Sequence, residues 1–208
     1  MAKKFKLRSP IDYRYILNRR ICIITQGFYE SLIYKFYKGK PHSALDIQTQ
    51  GSYKWMSGEP KNLRLKRTKA EKNGEIPIAA AHDGYLTVEH NDDQTEGVYM
   101  KVKDGDWETL YFHLSSVRLW KDDDKTTAYE QKNGQNFVKA GTVIGTGGNS
   151  GRFTTGAHLH FELRHKGVKV DPIPYLQDNV IYQRYRGIGK STFWYNGKEI
   201  TNKEAQQI

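Results

Sequence analysis

Short apolar runs interrupted by polar positions recur along the chain, and none keeps a helical period for long. The first spans residues 21–25. A Tyr-rich stretch follows, then Lys40-Pro41-His42-Ser43-Ala44-Leu45-Asp46-Ile47, where Pro41 stops a helix from running into His42. From residue 76 strand-like segments come at regular spacing, over 76–80, 85–90, 98–103 and 109–113. Asp83-Gly84 and Asp104-Gly105 supply turns between them. Val98, Met100 and Val102 alternate with Tyr99, Lys101 and Lys103, as on a half-buried strand. Strand character returns over 138–145, a loop follows at 147–151, and 158–164 reads as a strong strand with 168–170 as its hairpin partner. Asp171-Pro172-Ile173-Pro174 ends the pattern. With no sustained amphipathic helix and no long repeat, the expected class is mainly β.

The polar remainder divides the chain. Residues 1–20 read as a basic, Tyr-containing arm, 21–178 as the domain proper and 179–208 as a polar C-terminal extension. Two polar insertions interrupt the domain. Within 52–75, the stretch from Lys61 to Lys72 carries Lys61, Arg64, Lys66, Arg67, Lys69 and Lys72 diluted only by Glu71, which suits a solvated loop or a polyanion contact. In 121–135, Asp122, Asp123 and Asp124 stand in a row.

A length of 208 residues suits one domain with a real core, and 37% hydrophobic content excludes a wholly disordered chain. The single cysteine, Cys22, excludes an intramolecular disulfide and a cysteine zinc knuckle. Its apolar run, Ile21-Cys22-Ile23-Ile24, predicts a buried thiol. A net charge of +10 draws the chain to polyanions, among which nucleic acid, anionic membranes and bacterial wall polymers all qualify. No apolar run is long enough to span a membrane, and no signal-peptide core follows the basic N-terminus. Action outside a cell is therefore expected by another route, lysis-dependent release or delivery on a phage particle.

Seven histidines are present. His158 and His160 are two apart, so a strand points both to one face while Leu159, Phe161 and Leu163 point to the other. His42 and Asp46 are four apart, on one side of either a helix or a strand. Imidazoles and a carboxylate are ligands that zinc accepts, and three protein ligands leave a position open for water. His113 sits in another strand-like segment, and alone it carries little information. His82, His90 and His165 lie beside turns or charged residues and receive no role. The helical His-Glu-x-x-His pattern is absent.

Three segments together resemble the signatures of the lysostaphin-like (LytM-type) zinc endopeptidases, in order and in separation. They are His42-Ser43-Ala44-Leu45-Asp46, Tyr111-Phe112-His113-Leu114-Ser115 and Gly156-Ala157-His158-Leu159-His160-Phe161-Glu162. The Gly-rich approach over 141–151, Ala79-Ala80-Ala81-His82-Asp83-Gly84 and Val170-Asp171-Pro172 are similar to the same family. The resemblance covers about residues 21–178. It implies an antiparallel β-sheet groove, a barrel-sandwich hybrid with long loop insertions. It implies one zinc ion per chain held by His42, Asp46 and His160, with His113 and His158 as unliganded catalytic histidines. A second-layer contact from Glu162 is less expected than a plain surface or turn contact. Ser43 and Ala44 stand where the family often has Gly or Thr, and Gly27-Phe28-Tyr29-Glu30-Ser31 matches the family's corresponding loop poorly.

The implied function is hydrolysis of peptide cross-links in bacterial peptidoglycan. Action is expected at the cell wall, virion-associated or after release by a non-standard route. Bacterial peptidoglycan is the expected partner, with anionic wall polymers or phage tail proteins as further ones and no nucleic acid. The alternative is a non-catalytic wall-binding or structural module of a larger assembly such as a phage tail. All five site positions are filled, which favours the enzyme. Gly187-Ile188-Gly189-Lys190-Ser191-Thr192 looks like the end of a phosphate-binding loop, but Arg184 stands where that loop needs glycine, so the segment reads as an ordinary loop.

Overall fold

In the computed structural model, residues 5–12, 21–30, 41–49, 76–91, 96–117, 130–132, 135–151, 154, 156–185 and 191–208 are described. The insertion at 52–75, most of that at 121–135, and residues 187–190 of the phosphate-loop lookalike lie outside them. The described chain is mainly β, as the alternating pattern predicts. Strand β1 is Ile21–Gln26, β2 Leu45–Gln48, β3 Pro77–Ala79, β4 Gly84–Asn91 and β5 Gly97–Asp104. Then come β6 Trp107–Leu114, β7 Ser116–Val117, β8 Glu130–Lys132, β9 Gln135–Val138 and β10 Val143–Thr146. They are followed by β11 His158–His165, β12 Val168–Val170, β13 Ile181–Tyr185, β14 Ser191–Tyr195 and β15 Lys198–Ile200. A short helix, α1 (Asn202–Gln207), closes the chain behind a capping box between Thr201 and Glu204.

A long open sheet runs in the order β15-β14-β13-β1-β2-β11-β6-β5-β4-β9-β8, with β12 beside β11, and a small sheet runs β3-β10-β7. The named pairings are antiparallel except β1 with β13. Tight turns fix the registers. Asn196 and Gly197, both at positive φ, join β14 to β15, and Asn-Gly is the pair best suited to that geometry.

Alternation then sorts the long sheet into two faces. Leu45 and Ile47 of β2, Leu159, Phe161 and Leu163 of β11, Tyr111 of β6, and Met100 and Val102 of β5 bury one face. They form a single apolar cluster with Ile78 and Ile144 of the small sheet. Cys22 is buried in the same cluster, as its apolar run predicts.

Two segments read from sequence as polar appendages contribute to this core. Leu7 and Ile11 of the N-terminal arm are buried and bridge to Leu176 and Ile78. The extension beyond 178 supplies β13 to β15 and buries Ile181, Tyr182 and Phe193. Burial of a few apolar residues per strand is enough to hold such segments, although their average composition is polar.

Candidate active site

The register between β2 and β11 places Asp46 directly opposite His160. Paired residues on neighbouring strands point to the same face, so the two side chains meet on the face away from the core. His160 Nδ1 lies 2.8 Å from Asp46 Oδ1. His42 precedes β2, and its Nε2 lies 3.2 Å from Asp46 Oδ1 and 3.2 Å from His160 Nδ1. Three donor atoms thus form a triangle with edges of 2.8, 3.2 and 3.2 Å. Tetrahedral zinc with bonds of about 2.0–2.1 Å needs ligand separations of roughly 3.3 Å. The triangle fits a single metal ion within a few tenths of an ångström, and two imidazoles with a carboxylate suit zinc.

His158 and His113 flank the triangle. His158 shares the front face of β11 with His160, and its Nε2 stands farther out, 3.7 Å from Asp46 Oδ1. His113 reaches the site by a different device. His160 pairs with Phe112, so strict alternation would send His113 toward the core. The β5–β6 register shifts between Val98 and Met100, and His113 adopts φ +63°. This bulge re-aims the ring, which then lies 4.9 Å from that of His158 and 5.8 Å from that of His160. His113, His158 and His160 form a second trio with donor atoms within 4.8 Å, but it lacks a carboxylate and shares His160 with the first.

Backbone carbonyls orient three of the four rings. Nδ1 of His42 lies 3.0 Å from Gly27 O, Nδ1 of His113 2.8 Å from Ser150 O, and Nδ1 of His158 2.7 Å from Gly156 O. A carbonyl only accepts, so each Nδ1 carries the proton and each Nε2 keeps its lone pair. Metal-binding histidines are fixed in this way elsewhere.

Electrostatics follow from the packing. Burial would push the Asp46 carboxyl up, but hydrogen bonds from His160 and His42, with their charge, outweigh it and hold the group well below the usual carboxylate range. Burial, reinforced by His158 and His160, pushes the His113 imidazole down to about 4, so it is neutral at pH 7.

His82 and His165 have structural partners. His82 Nε2 meets Thr109 Oγ1 at 3.1 Å, and the same hydroxyl donates to Tyr111 at 2.9 Å. His165 stacks on Trp107 with ring centroids 4.1 Å apart. Glu162, expected at the surface or in a turn, is buried and paired with Arg164 and Lys169. The residues that sequence reasoning missed are Gly27, Ser150 and Gly156, which act through backbone carbonyls and leave no side-chain signal.

A mainly β scaffold brings two imidazoles and a carboxylate together beside two further histidines, a group that could hold a metal ion. Residues 67–172 match the model of peptidase family M23, and the chain belongs to that family. The matched span holds His113, His158 and His160 and begins after His42 and Asp46, which β2 brings alongside. Among curated proteins, the DD-carboxypeptidase/endopeptidase Mpg of Neisseria meningitidis is 35% identical over 97 residues, 47% of this chain. The match spans only 19% of that relative's length. A zinc-containing peptidase from Vibrio cholerae is similar over 82% of this chain and 39% of its own, with a TM-score of 0.49 at 22% identity. The catalytic domain of the antimicrobial peptidase lysostaphin from Staphylococcus simulans is similar over 73% of this chain and 87% of its own, with a TM-score of 0.44 at 22% identity.

Proposed function

We propose that the chain is a zinc-dependent endopeptidase that hydrolyses peptide cross-links of bacterial peptidoglycan. The observation that carries this reading is the triangle of His42 Nε2, Asp46 Oδ1 and His160 Nδ1 with His113 and His158 beside it, in a chain of a peptidase family. His42, Asp46 and His160 would hold the ion. Zinc held there supplies Lewis acidity and a water that ionises near neutral pH.

The histidines perform the rest. His113 and His158 each direct Nε2 away from an anchored Nδ1, so each can take a proton from water as its oxygen bonds to the scissile carbonyl carbon. Once protonated, the same nitrogen donates to the oxyanion or passes its proton to the leaving amine as the C–N bond breaks. The +10 net charge favours residence near anionic wall polymers, and salt weakens that attraction. Among the described residues no helix is long and apolar enough to cross a membrane. The non-catalytic alternative would be favoured by a lost ligand position, and none is lost.

The test is zinc content together with soluble peptide release from isolated peptidoglycan, with and without chelator. About one zinc per chain, chelator-sensitive release and loss of both in His160→Ala are expected, and the fragment masses identify the bond. Full release by His160→Ala would overturn the assignment.

A further inference from the structure

We propose that Glu30 and Arg184 form a positioning pair that sets the orientation of His42 and, through it, the affinity of the site for its metal. The inference rests on the proposed role of His42 as a ligand. Asp46 and His160 are aimed by paired strands, whereas His42 stands before β2 in a segment without regular structure. A histidine ring rotates broadly about its last torsion unless something holds it. What holds this ring is the Gly27 carbonyl, so the turn that carries Gly27 sets where Nε2 points.

That turn follows β1 and closes on itself. Glu30 N donates to Gly27 O at 3.2 Å, and Tyr29, at φ +56°, donates its N–H to His42 O at 2.6 Å. The Glu30 carboxylate folds back so that Oε2 accepts the Gly27 N–H at 3.0 Å. A Cβ on Gly27 would lie 2.8 Å from the Glu30 carboxyl carbon, so only glycine lets the carboxylate rest there undisturbed. The same Oε2 accepts Arg184 Nε at 2.6 Å. Arg184 is on β13, directly beside Ile24 of β1 in the parallel pairing. A continuous chain of charge-assisted and neutral hydrogen bonds therefore runs from Arg184 through Glu30 and Gly27 to His42. It makes a strand beyond residue 178 part of the support of the candidate metal site.

A salt bridge that merely docks β13 against β1 would show the same Arg184–Glu30 contact, and a charge swap separates the two roles. The double variant E30R/R184E rebuilds the ion pair, but arginine cannot accept the Gly27 N–H. Glu30→Gln keeps an acceptor for it. Zinc affinity by competition with a chromophoric chelator, the visible spectrum of the Co(II)-loaded protein and thermal unfolding of the metal-free protein would be measured for each. Glu30→Ala and the swap should bind zinc about 10-fold more weakly and change the Co(II) spectrum, while Glu30→Gln stays close to wild type. The swap should recover thermal stability relative to Glu30→Ala without recovering affinity. Unchanged affinity in Glu30→Ala, or recovery of affinity together with stability in the swap, would overturn the positioning role and leave the enzyme reading intact. If Glu30→Ala fails to fold, Glu30→Gln against the swap carries the comparison. A wild-type chain that binds no zinc would overturn both.

Discussion

His113 provides a quantitative test of how the site is built. In the unfolded chain an imidazole takes up a proton near pH 6.5, while burial holds that of folded His113 neutral down to about 4. Between those values the unfolded state binds more protons, so this residue lowers folding stability as pH falls. At 1.36 kcal/mol per pH unit, the cost is about 2 kcal/mol at pH 5 and approaches about 3 kcal/mol near pH 4. Asp178 works in the opposite sense. Burial raises its carboxyl to about 6, so the folded state binds the extra proton and gains stability as pH falls through that value. The raw pH profile of the wild type mixes these two with other shifted groups such as His82 and Asp171, so the informative quantity is the difference from His113→Gln, which does not titrate and keeps an N–H for Ser150. Urea unfolding of metal-free protein at pH 7 and pH 5 measures it. The gap should shift by about 2 kcal/mol in the variant's favour at pH 5. A gap of equal size at both pH values would refute the downward shift that burial gives the His113 imidazole.

Three other substitutions probe the scaffold. In Gly148→Ala the new Cβ would lie 2.4 Å from Ser115 N, just beyond β6; a loss of about 1–3 kcal/mol by urea unfolding is expected, with slower peptide release because Gly148 O accepts the His158 N–H. Thr109→Val removes the hydroxyl shared by Tyr111 and His82; it should cost about 1–3 kcal/mol in the same assay and leave peptide release unchanged. Phe193→Ala empties a buried position in β14; a cost of about 3–5 kcal/mol within one cooperative transition would show that β13 to β15 fold with the rest, whereas a separate early transition would show that they do not.

Period-two patterning made the central strands legible. In β5 and β11 the core-facing residues, Met100 and Val102 and then Leu159, Phe161 and Leu163, recur at every second position, whereas β6 is buried over Thr109 to Leu114. The outer segments were harder to read. In β13 and β14 the buried residues, Ile181, Tyr182 and Phe193, are few and sit among polar neighbours. The signal that remained was the Asn196-Gly197 turn. His42, Asp46, His158 and His160 could be paired from spacing and resemblance, because strands fix the direction of a Cβ. The face of His113 could not be read from alternation, because a bulge reverses it, and only the resemblance placed it with the others.

A strand sets where a side chain starts but not how an imidazole turns, and a metal site depends on the second as much as the first. Here the turning is delegated to loops. Gly27 belongs to the turn after β1, Ser150 to the Gly-rich loop after β10, and Gly156 to the segment leading into β11, and each offers one carbonyl to one Nδ1. His160 differs. Its Nδ1 faces Asp46 across the β2–β11 pairing, so the strands themselves supply its partner. The four histidines are thus held by four separate elements, and the loops among them are themselves tied to strands: Ser150 Oγ accepts the Val98 N–H of β5 at 3.0 Å. Loop residues therefore act on the chemistry through the tautomer and the direction of Nε2, and the turn that holds His42 is reinforced from outside by Glu30 and Arg184.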